Sequence, residues 1–119
     1  MRVPILKQGD YLIASIQSAL SDDDLLQLRD DLAGQVGRFR SKAAIVDVTV
    51  LDVMDSFAVR TVRAIAHMIR LRGAQTVIVG IQPEAAFSMV QLGLTLGDVA
   101  TALDLEEGLA FLNQRSRES

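Results

Sequence analysis

A hydroxyl group next to a helix start is the feature of this chain best suited to chemistry. The apolar run 43–48 predicts a buried strand, and soon after it a helical pattern begins at Asp55 and Ser56. Backbone N–H groups in the first turn of a helix lack intrahelical partners, and short polar residues at such junctions are exposed. This arrangement suits phosphorylation of Ser56, although an Asp-Ser pair at a helix start is by itself more often structural.

Three carboxylates near this serine have predicted roles of their own. Asp55 is expected to be the helix N-cap, which is compatible with orienting the Ser56 hydroxyl or contacting a partner. Asp47 is unusual in an apolar strand and is expected at its carboxyl end, hydrogen-bonded to the adjacent loop. Asp52 and Asp55 would oppose a phosphate that the helix dipole stabilises by about 0.3–1 kcal/mol. Phosphorylation is therefore expected to change the surface potential rather than the fold.

A basic stripe is predicted on the helix that starts at Ser56. It consists of Arg60, Arg63, His67 and Arg70, which recur at three- and four-residue steps. One interpretation is a solvated helix face, and the other is a docking strip for an acidic partner surface. The preceding helix would offer such a surface on a neighbouring copy or related domain through its aspartates: Asp22, Asp23, Asp24, Asp30 and Asp31.

Enzymatic chemistry is not expected from this sequence. The acidic pocket of a response-regulator receiver would need a well-placed lysine near Asp47 and Asp52, but Lys42 precedes the same strand. His67 lies roughly 16 Å along the helix from Ser56, too far to activate its hydroxyl. The chain has no G-x-S-x-G elbow, no P-loop and no cysteine. We therefore expect no catalytic residue, no metal site and no cofactor.

Length and composition indicate one globular domain over residues 1–119, with a frayed polar tail at about 114–119. The chain is 50% hydrophobic, which is enough for a real core, and its net charge of −3 gives no surplus of cations for nucleic acid. The first residues carry charges at Lys7 and Asp10, unlike a signal peptide, and no run approaches the ~20 apolar residues that cross a bilayer. A cytoplasmic location, with no membrane partner, is expected.

The hydrophobic pattern predicts an α/β fold with the element order ββαβαβαβα. Strand–helix–strand units with buried strands imply a mixed, mostly parallel sheet of about five strands, covered by about four helices. Ser21 with Asp24, and Asp104 with Glu107, have the spacing of capping boxes. The predicted strands are 3–6, 11–16, 43–48, 75–81 and 99–103, and the predicted helices are 22–39, 56–72, one from Pro83 and one from Asp104 through Leu112.

Apolar stripes predict which helix residues pack in the core. Met54, Met68 and Met89 are expected to fill core gaps or an interface. The stripes are Leu25, Leu28, Leu32, Val36 and Phe39 on the first helix, Ala58, Val62, Ile65 and Ile69 on the second, and Phe87, Val90 and Leu94 on the third.

The element order, with Asp55-Ser56-Phe57 between the central strand and its helix, resembles the STAS domain family. That family has an Asp-Ser or Asp-Thr pair at this turn, and the resemblance covers essentially the whole chain. Five local patterns resemble more narrowly the RsbS group, the single-domain scaffolds of the stressosome. They are Ile5-Leu6-Lys7, Ser15-Ile16-Gln17, Asp55-Ser56-Phe57, Gly80-Ile81-Gln82-Pro83 and the run from Thr101 to Leu109, TALDLEEGL.

The resemblance implies a STAS-domain sandwich that acts as a non-enzymatic scaffold in a bacterial stress-response partner-switching pathway. Ser56 would be the phosphoacceptor, with Asp55, Phe57 and Asp52 around it. The unmodified protein would hold an RsbT-like serine kinase and release it once Ser56 is phosphorylated, and a dedicated phosphatase would reset the serine. RsbR-like STAS paralogues would join it in a large pseudo-icosahedral assembly, as homo- and hetero-oligomers.

Two other functions remain open at this point. A free anti-sigma factor antagonist would use the same serine but stay small, and a ligand- or nucleotide-binding STAS module would need no phosphorelay. The stimulus and the downstream output are not readable from the chain. Three further hydroxyls are also open as second phosphorylation sites: Thr49, Thr61 and Ser88.

Overall fold

Helices and strands follow one another in the predicted order ββαβαβαβα in the computed structural model, which describes residues 2–118. The mixed α/β architecture expected from the sequence is therefore confirmed. The strands are β1 Ile5–Gln8, β2 Tyr11–Ser15, β3 Ala43–Asp47, β4 Gln75–Val79 and β5 Ala100–Ala102, and the helices are α1 Asp22–Phe39, α2 Ser56–Arg70, α3 Pro83–Gln91 and α4 Leu105–Glu118.

The strands form one sheet in the spatial order β1-β2-β3-β4-β5. β1 pairs antiparallel with β2 through a tight hairpin, whereas β2, β3, β4 and β5 are mutually parallel. Parallel strands end at the same edge of a sheet, so the loops after β3, β4 and β5 lie side by side. We call this edge, with those three loops, the carboxyl edge.

Helices cover both faces of the sheet. One face is packed against α1, α2 and α3, whose buried side chains form a single cluster with Leu12, Val46 and Ile78. The other face holds Ile45, Val77 and Val79 beneath α4, which is tied to β2 by a hydrogen bond from the Tyr11 hydroxyl to Asn113 Oδ1 at 2.9 Å. The first of these clusters contains the buried face of α2, so it fixes the orientation of that helix and of the residues at its amino end.

The stripes of α1 and α2 pack as predicted, except at the last residue of α1. Phe39 is 39% exposed beside the cations of Lys7 and Arg38, because α1 has reached its end and turns away from the core. On α3 the prediction was wrong for Phe87 and Val90, which are 63% and 76% exposed, whereas Leu94, just after the helix, packs against the core as predicted. That helix has apolar residues on two faces, and the buried face is the one that carries Ala85 and Met89.

Element boundaries differ from prediction at the two ends of the chain. β1 covers Lys7 and Gln8 because Gly9 and Asp10 alone form the turn, Gly9 having φ +59°. α4 continues to Glu118 rather than ending at Leu112, so most of the polar tail expected to fray is helical. The Arg115 guanidinium lies 5.6 Å from the Phe111 ring centre within that extension. The end of the predicted tail, Ser119, is outside the described residues.

Candidate functional site: a serine at the carboxyl edge

Ser56 is the first residue of α2, at the carboxyl edge beside the end of β3. Asp55 is the N-cap, as predicted, because its backbone is extended (φ −79°, ψ −179°) and its carboxylate accepts from the Ala58 N–H at 2.8 Å. The Asp55 carbonyl also accepts from the Val59 N–H at 3.0 Å. These two bonds fix the first turn, so the Ser56 side chain is presented from a defined backbone.

The Ser56 hydroxyl has no hydrogen-bond partner among residues 2–118, and the side chain is half-buried. The other three candidate hydroxyls are engaged. Thr49 Oγ1 donates to Asp47 Oδ1 at 2.6 Å, Thr61 Oγ1 to the Phe57 carbonyl at 2.8 Å and Ser88 Oγ to the Ala85 carbonyl at 2.9 Å. Thr61 is also buried. A phosphoryl acceptor needs a hydroxyl free to be approached, so the geometry favours Ser56.

The loop between β3 and α2 is held from both sides. Asp47 stands at the carboxyl end of β3, as predicted, and its Oδ1 accepts from the Thr49 N–H at 3.0 Å as well as from the Thr49 hydroxyl. The Gln82 amide donates to the Thr49 carbonyl from the next loop of the carboxyl edge. Met54 is fully buried one residue before the N-cap. These contacts limit how far the loop that carries the serine can move.

Gly80 is a part of this site whose role the sequence did not reveal. It follows β4 with φ +81°, a backbone conformation that L side chains rarely adopt. A Cβ at this position would overlap Thr49 Oγ1 and lie 3.3 Å from Asp47 Oδ1. Only glycine leaves room for the bond between Thr49 and Asp47. The signal in the sequence was a glycine within the predicted strand 75–81, since a glycine in an apolar strand pattern indicates a bulge or a close approach of backbone. β4 ends at Val79, so Gly80 begins the loop.

The basic stripe is exposed on α2, as the helical spacing predicted. Its far end is partly neutralised, since Arg70 Nη2 lies 3.0 Å from Asp98 Oδ2. The hydrogen bond from Arg70, with a smaller contribution from the charge of Arg63, lowers the pKa of Asp98 below its ordinary value. Asp98 was not foreseen as a partner because it comes from the loop between α3 and β5. The net positive charge of the stripe is thus concentrated towards Ser56.

Exposed apolar side chains accompany the serine at the carboxyl edge. Val50 and Val53 in the loop before α2 are 48% and 61% exposed, and Leu103 in the loop after β5 is 79% exposed. Large apolar side chains grouped at one edge and flanked by charge are typical of surfaces that bind other proteins. The carboxyl edge therefore combines a free hydroxyl, an apolar rim and a cationic helix face.

Other kinds of site find less support in the part of the chain that the structure describes. Residues 2–118 contain no cluster of three or more His, Cys, Asp and Glu side chains that could hold a metal ion. None of their helices is both long enough and apolar enough to cross a bilayer. His67 is exposed on the stripe, three turns along α2 from Ser56, as its sequence position implied.

Replacing Asp55 by alanine is expected to lower the free energy of unfolding by about 1 kcal/mol, because the Ala58 N–H loses its capping acceptor. Asp55→Asn, which keeps a capping oxygen, is expected to recover most of that loss. Asp52→Ala is the matched control: this exposed carboxylate caps no helix within residues 2–118, and its removal should change stability by less than about 0.5 kcal/mol. Urea denaturation measures all three, and equal losses at both positions would contradict the capping role.

Comparisons with known proteins identify relatives with the same fold. A variant of RsbS from Moorella thermoacetica is 33% identical, with 98% of this chain and 99% of that chain covered and a TM-score of 0.85. A chain from a structure of the stressosome, described as a signal integration and transduction hub, is 31% identical, with coverages of 96% and 99% and a TM-score of 0.78.

A curated relative and a family model complete the comparison. RsbT co-antagonist protein RsbRA of Bacillus subtilis (strain 168) is 30% identical over 83 residues, which are 70% of this chain. This chain spans only 30% of the length of RsbRA. The STAS domain model matches residues 2–107, nearly the entire described structure. The chain therefore belongs to the STAS domain family.

Proposed function

We propose that this STAS domain is a partner-switching scaffold whose state is set by phosphorylation of Ser56. The observation that carries the proposal is the free hydroxyl of Ser56 at the start of α2, beside Asp55 and Phe57. The three other candidate hydroxyls, of Thr49, Thr61 and Ser88, already form hydrogen bonds. The similarity to RsbS and to a stressosome chain supports the same function. In this proposal the protein is not an enzyme and acts in the cytoplasm.

The kinase is the first partner in this proposal. Unmodified protein binds an RsbT-like serine kinase, and phosphorylation of Ser56 releases it. RsbRA is named as a co-antagonist of RsbT, which supports a kinase of that type. The contact surface is the carboxyl edge, with Val50 and Val53 as apolar contacts and the basic stripe as a charged border. A dedicated phosphatase returns the serine to its free form.

Assembly with related domains is the second part of the proposal. The similarity to a stressosome chain supports a large pseudo-icosahedral particle with RsbR-like paralogues. Opposite charges on two helices suit such contacts, because the basic stripe of α2 on one copy can face the acidic amino end of α1 on another. Two of the five aspartates of α1 are already paired within the chain, Asp31 with Arg2 and Asp30 with Arg29, each at 3.0 Å. Asp24 already accepts from the Ser21 N–H, so the exposed Asp22 and Asp23 are the acidic residues of the first turn that meet a neighbour in this proposal.

Phosphopeptide mapping tests the proposal. Pure protein is incubated with ATP and an extract of its source cells, and the phosphate is located by mass spectrometry. We expect phosphate on Ser56 and a loss of more than about 90% of the label in Ser56→Ala, since its hydroxyl is the free one. Ser88→Ala is the matched control and should label normally. Label that persists in Ser56→Ala, or none in an extract where other substrates are labelled, would contradict the proposal.

Two other functions are distinguished by simple measurements. A free anti-sigma factor antagonist would show the same phosphopeptide but remain small when mixed with its partners, whereas a scaffold forms particles approaching a megadalton. A ligand-binding module is favoured by one observation, a cleft of about 870 Å³ whose lining includes Gln75, Arg70 and Phe111, at the opposite edge of the sheet from Ser56. A rise in melting temperature with nucleotide, unchanged in Ser56→Ala, would favour that function.

A further inference from the structure

The side chain of Arg60 runs back along α2 towards Ser56. Arg60 is four residues after the serine, so the two side chains lie on the same helix face with about 5–6 Å between their Cβ atoms. Helical side chains lean towards the amino end of their helix, which takes the Arg60 guanidinium over the preceding turn. The structure has this conformation, because Arg60 Nε donates to the Ser56 carbonyl at 3.3 Å.

The Arg60 guanidinium is also available for a stronger partner. Within residues 2–118, the aspartates that form ion pairs with arginines do so with arginines other than Arg60, as Asp98 does with Arg70. Within that same range Arg60 has no carboxylate at salt-bridge distance, and it is exposed. Its one bond is a long contact to a carbonyl, and a guanidinium has five N–H donors. Most of its hydrogen-bonding capacity is therefore directed at solvent, next to the Ser56 side chain.

We propose that Arg60 binds the phosphate on Ser56, an inference that rests on the phosphorylation proposed above. Arginine presents a planar fork of donors that matches two phosphate oxygens, and charge-assisted bonds of this kind are the stronger class. The pair forms with a rotation of the Arg60 side chain away from the Ser56 carbonyl and no change in the backbone. Two charges oppose it, the carboxylates of Asp52 and Asp55, and Arg63 adds a weaker attraction from one turn further along.

A pair between Arg60 and the phosphate would change the charge of the basic stripe as well as the accessibility of the phosphate. Arg60 would be withdrawn from the stripe into an internal pair, so the cationic surface next to the carboxyl edge would shrink when the phosphate is added. The phosphate would also be held against the first turn of α2 and be less accessible for hydrolysis. A glutamate at position 56 would pair with Arg60 less well than phosphoserine does, since glutamate has one negative charge and a shorter reach.

Phosphoserine introduced at position 56 by genetic encoding tests the inference without any kinase, so its result is independent of whether cells modify Ser56. The ³¹P chemical shift is followed against pH in four proteins: the parent sequence, Arg60→Gln, Arg60→Lys and the matched control Arg63→Gln. Both replaced arginines are exposed, so each variant is expected to fold like the parent sequence. A nonspecific phosphatase then measures the rate of dephosphorylation of each protein.

We expect Arg60→Gln to raise the midpoint of the ³¹P titration by about 0.3–0.7 pH units, because the dianion loses a charge-assisted partner roughly twice as strong as an ordinary i,i+4 pair. The phosphatase should dephosphorylate Arg60→Gln roughly two- to fivefold faster than the parent, because a midpoint shift of that size corresponds to the same factor in a rate. Arg63→Gln should shift the midpoint by less than about 0.2 units, Arg60→Lys should lie between, and ~1 M salt should remove most of the difference. Equal midpoints in the parent and Arg60→Gln, or equal shifts in Arg60→Gln and Arg63→Gln, would overturn the inference.

Discussion

Phosphoserine at position 56 is expected to weaken binding of the partner kinase by at least about 100-fold, while the melting temperature of the domain changes by only a few degrees. A phosphate adds about −1.5 to −2 charges to a surface that the proposal places inside the kinase contact. Burying or opposing such a charge costs on the order of 3 kcal/mol, which corresponds to a hundredfold loss of affinity. The apolar rim of Val50 and Val53 makes the cost larger, because it offers no compensating donors.

The fold is expected to survive because the local electrostatic effects nearly cancel. The amino end of α2 stabilises a phosphate by about 0.3–1 kcal/mol, and repulsion from Asp52 and Asp55 is of similar size. A change below ~1 kcal/mol moves the melting temperature of a domain of this length by only a few degrees. Titration calorimetry with the kinase captured by unmodified protein measures the affinity, and differential scanning calorimetry measures the melting temperature.

A control of equal charge separates a local effect from a general one. Phosphoserine at Ser116, which is exposed near the end of α4 at the opposite edge of the sheet, adds the same charge away from the carboxyl edge. It should weaken kinase binding by less than about threefold, because charges further apart than the Debye length of ~8 Å are screened. Similar weakening by both modifications, or unfolding of the protein modified at Ser56, would contradict a switch of partner affinity.

Much of this fold was predictable because its local and long-range signals agree. The continuous apolar run of β3, the capping box of Ser21 and Asp24, and the N-cap at Asp55 all appear in the structure as the sequence indicated. Each is a short-range pattern with one physical solution: a strand buried on both faces, or a side chain that satisfies a free N–H. The position of Ser56 at a helix start followed from the same signals.

The parts that sequence did not predict depend on contacts between distant segments. The exposure of Phe87 and Val90 was missed because α3 has apolar residues on two faces, and only its docking on the core decides which face is buried. The ion pair of Arg70 with Asp98 joins segments 28 residues apart. Likewise, the bond from Gln82 to the Thr49 carbonyl needs the β3 and β4 loops to be neighbours, which sheet order alone determines.

The second large effect is expected at Gly80, where alanine should lower the free energy of unfolding by about 2.5–5 kcal/mol. Its φ of +81° costs an L residue about 1–2 kcal/mol. The new Cβ would also overlap Thr49 Oγ1, so the hydroxyl must leave Asp47 and a hydrogen bond to a charged acceptor is lost, at about 1.5–3 kcal/mol. Urea denaturation measures the sum.

Two comparisons divide that sum into its causes. Gly93 has a similar φ of +67°, but a Cβ added there would meet nothing within 4 Å, so Gly93→Ala should lose only the backbone part, about 1–2 kcal/mol. A Thr49→Ala background removes the overlap with Oγ1 and leaves tight contacts of the new Cβ with Cβ of residue 49 at 3.1 Å and Asp47 Oδ1 at 3.3 Å. Gly80→Ala should then cost only slightly more than Gly93→Ala. A coupling energy of about 1.5–3 kcal/mol between positions 49 and 80 would follow. Additive losses would mean that Gly80 is required for its backbone conformation alone, and that the bond between Thr49 and Asp47 does not depend on the close approach of the β4 loop.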